Sequence, residues 1–156
     1  MAEPDLFYFL QCATVASPGE PLWPRRMGEE RYALWKYGEF LQFTEGGASP
    51  WFELSPTGPD GRAWVGKVRV KDREFPLELV LKEAYPTVPP AARIAGLIEY
   101  TDRKLEDPVL GERLCDMHME ENYWWNEYSG ITLYLKREVS FWITSVVHSL
   151  EQGGYM

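Results

Sequence analysis

A chain of 156 residues with a formal net charge of −8 has the length of one domain and can bury a sizeable core. Its acidity argues against gripping a phosphate backbone, which needs a basic footprint, and suits partners that present basic surface. Two cysteines are too few for a disulfide framework, no Cys-x-x-Cys or clustered His/Cys set suits zinc, and no apolar run approaches the about 20 residues of a membrane span. With an acidic start, Met1-Ala2-Glu3-Pro4-Asp5, unlike a secretory leader, the expectation is a cytoplasmic protein without nucleic-acid or membrane partners. Pairing of Cys12 with Cys115 stays open at this level.

Residues 1–27 read as an N-terminal extension laid on the body, with a short apolar run from Leu6 to Leu10 followed by Pro18, Gly19, Pro21 and Pro24. Residues 28–156 read as the domain proper. From Glu29 to about Phe43, Ala33, Tyr37, Phe40 and Leu41 recur at the spacing of one helix face. Glu29 and Glu30 are expected in its first turn, where acids complement the helix dipole. Gly46-Gly47 with Ser49 and Pro50 is the expected stop.

Three strands should follow. Trp51-Phe52-Glu53-Leu54 is short and apolar, and Pro56 to Gly61 is dense in turn residues. Arg62 to Val70 alternates, with Trp64, Gly66, Val68 and Val70 on one side. After a charged tip at Lys71 to Glu74, Phe75, Leu77, Leu79 and Leu81 alternate with Pro76, Glu78, Val80 and Lys82. Ala92 to Leu97 can form a fourth strand. Ile98 to Glu121 shows neither helical nor strand period, so a long irregular segment is expected, of the kind that usually carries function. Ser129 is expected to cap a last helix in which Ile131, Leu135, Val139, Trp142, Val146 and Leu150 share one face. The order is that of an α+β domain: N-terminal helix, four-stranded antiparallel meander, long loop, C-terminal helix.

Cys115 falls in the irregular segment, downstream of the rigid stretch Tyr85-Pro86-Thr87-Val88-Pro89-Pro90. A cysteine there is either a nucleophile or an ordinary half-buried thiol. Asp107, Asp116 and His118 are the polar residues available to assist it, and solvated loop acids and a surface histidine are the plainer alternatives. Trp124 and Trp125 suit packing that braces the loop, and Cys12 has no chemical context.

This order of elements, the Tyr-Pro-x-x-Pro-Pro turn, the cysteine in the next loop and Trp124 shortly after it resemble the ubiquitin-conjugating enzyme (UBC-like) family. The similarity is closest to the ubiquitin-fold modifier conjugating branch, through Trp51-Phe52-Glu53-Leu54, Asp60-Gly61-Arg62-Ala63-Trp64-Val65-Gly66-Lys67, and Gly111 spaced four residues before Cys115 with His118 nearby. It spans roughly Thr14 to His148. The resemblance implies a UBC-like catalytic domain that carries a ubiquitin-like modifier as a thioester on Cys115 and transfers it to a substrate lysine or a ligase. It implies an adenylating activating enzyme, a modifier, a ligase and a protein substrate as partners, and no cofactor on this chain. The mainstream family places His-Pro-Asn ahead of the cysteine; the matching position here is Leu105-Glu106-Asp107, which supplies no amide donor. The ubiquitin-fold modifier branch also lacks the triplet, so its absence does not imply inactivity, but the oxyanion contact is unassigned. The tip at Lys71 to Glu74 is also shorter than the family's. The competing readings are an inert module of the same fold that binds a modifier or ligase, and a cysteine hydrolase.

Overall fold

The computed structural model describes residues 10–44 and 50–154. The apolar run before Leu10 and the Gly46-Gly47 stop lie outside them. Helix α1 (Trp23–Thr44) is followed by β1 (Phe52–Thr57), β2 (Ala63–Val70), β3 (Arg73–Val80) and β4 (Ala91–Ile94). These strands form one antiparallel sheet in the order β1-β2-β3-β4.

Alternation sets the sheet's two faces. Phe52, Trp64, Val68, Val70, Phe75, Leu77, Leu79 and Ile94 are buried in the core, while Glu53, Lys67, Arg69 and Glu74 point outward and pair across strands, Lys67 Nζ lying 3.0 Å from Glu74. Register is held tightly at Gly66: a Cβ there would lie 1.8 Å from the Glu53 carbonyl oxygen, so only glycine lets β1 approach β2. The β2–β3 connection is a two-residue turn at Lys71 and Asp72, with φ of 50° and 66°, shorter than the four-residue tip expected.

Helix α1 begins at Trp23 rather than Glu29. Pro24 does not prevent this, because the first turn has no use for its missing amide hydrogen. Glu29 and Glu30 therefore lie in the second turn, away from the positive end of the dipole. Ala33, Leu34, Tyr37 and Leu41 bury the helix against the sheet, with the Tyr37 ring stacked 5.6 Å from Phe52.

The expected long irregular segment is not a loop. After a 3-10 turn (Ile98–Tyr100) it folds as an antiparallel hairpin, β5 (Lys104–Asp107) and β6 (Gly111–Leu114), and a short helix α2 (Met117–Glu121). Four-residue strands in which only Asp107 and Leu114 are buried carry no apolar alternation, so the sequence shows no period. The C-terminal helix runs as α3 (Gly130–Tyr134), a π-helical stretch (Leu135–Val139) and α4 (Ser140–Gln152). Its expected apolar face is buried throughout. Ser129 does not cap it: its hydroxyl accepts the Asn126 N–H at 3.0 Å and its own backbone is already helical. The Ile131 N–H donates to Glu30 of α1 at 2.8 Å instead, so a carboxylate from a distant helix does the capping.

Candidate active site around Cys115

A buried polar cluster underlies the route from the sheet to Cys115. Glu30 is fully buried and accepts from Arg26 Nε at 3.0 Å, from the Ile131 N–H and from the Tyr85 hydroxyl. Arg26, also fully buried, donates from Nη1 to the carbonyls of Thr14 at 2.8 Å and Glu127 at 2.6 Å. Burial and the Glu30 charge push the Tyr85 hydroxyl well above its ordinary pKa, so it serves as a donor. The Tyr85–Pro86 peptide is cis, and Trp125 Nε1 donates to the Pro86 carbonyl at 2.8 Å. Tyr85, Pro86 and Trp125 thus have the structural role the sequence suggests.

Cys12 is buried beside this cluster. A Cβ on Gly130, whose φ is +79°, would come within 3.2 Å of its sulfur and 2.9 Å of Glu30. Burial and Glu30 push its thiol far up. Both cysteines are free, so the pairing left open by the sequence is absent. An open cavity of about 680 Å³ is lined by Tyr32, Tyr128 and Cys12, the last of them buried.

Cys115 leaves the end of β6. Its N–H donates to the Arg103 carbonyl at 3.3 Å, continuing the hairpin ladder by one rung. The same carbonyl accepts from Trp142 Nε1 at 2.8 Å, so the last helix is tied to the hairpin at the level of the cysteine. The thiol is partly exposed and donates to Glu120 Oε1 at 2.6 Å. Burial first, then the bond to Glu120 and the charges of Glu120 and Asp116, push it up to about 11 against the pull of Arg113. Glu112, three residues before the cysteine, pairs with Arg93 and Lys104.

The other expected site residues have definite places. Asp107 sits at the turn end of the hairpin, roughly 13 Å along the strand from Arg103 at ~3.3 Å per residue. It accepts from Lys82 Nζ and from the N–H groups of Val109 and Leu110, both at 2.9 Å, which lock the turn. Burial raises its carboxyl pKa, but Lys82 and the two amides outweigh that and hold it below the ordinary value. Asp116 accepts from the Tyr134 hydroxyl at 2.6 Å and faces Arg113 at 3.5 Å. Burial lifts it to about 6 despite both partners, with Glu138 and Glu120 adding to the rise.

His118 is not joined to Cys115. A widened π turn disturbs the regular helical ladder, and within it the Arg137 carbonyl accepts from His118 Nδ1 at 2.9 Å, which places the ring proton there. The ring stacks on Phe141 at 4.3 Å.

Three acids that matter were missed by sequence reasoning. Glu138, nearly buried, accepts the His118 N–H at 3.0 Å, the Met119 N–H at 3.3 Å and Trp124 Nε1 at 2.7 Å, and so hangs the segment after Cys115 from the last helix. Glu30 does the same for the start of that helix. Both occupy core-facing helix positions among apolar residues, and an acid there is the signal that could have found them. Glu120 carries no such signal.

Beside Asp116 an open cavity of about 290 Å³ is walled by Val88, Pro89, Pro90 and Ala91 on one side and by Lys82 and Arg113 on the other. Among the described residues no group of three or more His, Cys, Asp or Glu could hold a metal ion, and no helix is long and apolar enough to cross a membrane. Neither a model of any known protein family nor any curated protein matches the chain.

Proposed function

We propose that this chain is a UBC-like conjugating enzyme that carries a ubiquitin-like modifier, of ubiquitin-fold modifier type, as a thioester on Cys115. The observation that carries the reading is the setting of that thiol: free, partly exposed, and on a backbone anchored by the hairpin and the last helix. An anchored nucleophile with open access suits an exchange between two thiols, which is nearly balanced and needs access more than activation. The Cys115 sulfur attacks the thioester held by an activating enzyme, the donor thiol leaves, and the modifier's carboxyl carbon is now bonded to Cys115. A lysine amine or a ligase thiol then displaces Cys115. The cavity beside Asp116 offers room for the extended tail of the modifier.

An inert module of the same fold is the second reading, favoured by a thiol held protonated and by the absence of a side-chain amide ahead of Cys115. A cysteine hydrolase fits less well, because the Cys115 thiol donates to Glu120 and not to His118.

The test is intact-mass analysis after incubation with an adenylating enzyme, ATP and a panel of ubiquitin-like modifiers. A single modifier adduct should form, be lost on adding thiol reductant, and be absent in Cys115→Ser. A protein that is readily alkylated at Cys115 yet accepts no modifier from the panel would leave the module as the better account.

A further inference from the structure

The geometry points to Glu120 as the proton acceptor for Cys115, taking the thiol proton when the sulfur attacks and the amine proton when the acyl group departs. This inference rests on the conjugating reading and deepens it by naming the base. Contact supplies the first support: the thiol donates to Glu120 Oε1 at 2.6 Å. Availability supplies the second. Asp107 is held by Lys82 and two amides, Asp116 by Tyr134 and Arg113, and Glu138 by three N–H donors. The Glu120 carboxylate, by contrast, is exposed and bonded to the thiol.

Placement supplies the third support. Glu120 rides on α2, which is braced from behind by the Glu138 bonds to His118 and Met119 and by the buried Met119 side chain. The ionisable groups facing the sulfur are Glu120 on α2, Asp116 before it and Arg113 on β6, with Tyr134 and Glu138 of the last helix behind Asp116.

The steps balance. In loading, the S–H bond breaks toward the Glu120 carboxylate while sulfur bonds to the thioester carbon. The tetrahedral intermediate expels the donor thiolate, which recovers the proton from Glu120. Once Cys115 is acylated, Glu120 has lost its donor and faces the incoming amine. The amine nitrogen bonds to the carbonyl carbon, its proton passes to Glu120, and the departing Cys115 thiolate takes that proton back. One carboxylate is thereby returned to its starting state after each half-reaction.

The experiment compares wild type, Glu120→Gln and Glu121→Gln, the last changing net charge equally on the neighbouring exposed acid. The first readout is the pH profile of Cys115 alkylation by iodoacetamide. Loss of the carboxylate should move the midpoint of the thiol titration to lower pH. Alkylation at pH 8 should quicken about threefold for each pH unit the midpoint falls, the gain in thiolate exceeding the loss of nucleophilicity. The second readout is discharge of preloaded modifier to free lysine, which should slow by roughly 10²-fold in Glu120→Gln. Glu121→Gln should follow wild type in both. A merely structural role would not quicken one reaction while slowing the other. An alkylation profile unchanged in Glu120→Gln, or discharge at the wild-type rate, overturns the inference. If wild type loads no modifier, the conjugating reading falls, and the alkylation profile still decides whether Glu120 holds the thiol proton.

Discussion

Glu30→Ala should be among the most damaging single changes in this domain, and its cost can be worked from the contacts. The carboxylate is fully buried and receives the Arg26 guanidinium, the Ile131 N–H and the Tyr85 hydroxyl. Its removal leaves a buried guanidinium facing the Thr14 and Glu127 carbonyls and the Tyr85 ring with no carboxylate bonded to it, and breaking a buried pair costs about 3–5 kcal/mol. The orphaned Ile131 N–H adds about 1–3 kcal/mol, less than additively where water enters the space. A net loss of about 4 kcal/mol is a large share of the ~5–15 kcal/mol typical of a domain. At ~2–4 °C per kcal/mol for this size, the melting temperature should fall by roughly 8–16 °C. Urea unfolding followed by tryptophan fluorescence measures it, with an unchanged slope as the sign that only stability moved. A loss under about 1 kcal/mol would refute the picture of a dry, charged pair. Arg26→Met combined with Glu30→Met should lie closer to wild type than Glu30→Ala, since no charge is then stranded.

Two further outcomes follow from the site. Asp116 is raised to about 6 from 3.8, so the folded protein holds this proton more tightly than the unfolded chain. Its stabilising contribution is full below about pH 4 and is lost as pH rises through about 6, a swing of at most about 3 kcal/mol. Asp116→Asn, which keeps the uncharged form, should therefore gain in urea midpoint relative to wild type between pH 4 and pH 7; a difference constant across that range would contradict the assignment. Glu138→Ala should release the His118 and Met119 amides, whose hydrogen exchange should accelerate at least tenfold relative to the core strands, and unchanged protection would show that α2 is held by something else.

The parts of this fold legible in the sequence are those where burial imposes a period. Trp64, Val68 and Val70 on β2, and Phe75, Leu77 and Leu79 on β3, alternate because one face of the sheet is dry. Ile131, Leu135, Val139, Trp142, Val146 and Leu150 repeat for the same reason. The β5–β6 hairpin is illegible because its strands lie near the surface, with Leu105 exposed and Asp107 buried, the reverse of the usual code. The sequence misplaces the start of α1 because the second-turn acids Glu29 and Glu30 look like first-turn acids when their partners are unknown. Glu29 instead accepts the Ala13 and Thr14 amides, and Glu30 caps a helix about a hundred residues away in the chain. At the site, Cys115 and Asp116 stand out by type and neighbourhood. Glu120 does not, because a surface acid on a five-residue helix has the same sequence appearance whether or not a thiol reaches it.

The Arg103 carbonyl, which receives both the Cys115 amide and the Trp142 indole, makes the position of Cys115 unusually indifferent to what residue occupies position 103. A carbonyl has two lone pairs and can serve both donors at once, and every amino acid brings one. The side chain at 103 is therefore free to drift, short of proline, whose missing amide would forfeit the bond to Thr101 Oγ1. The indole at 142 has no such freedom. The coordinate that sets where the sulfur sits is thus written on the helix and read by the hairpin's main chain, so that the hairpin's surface can vary without moving the Cys115 sulfur.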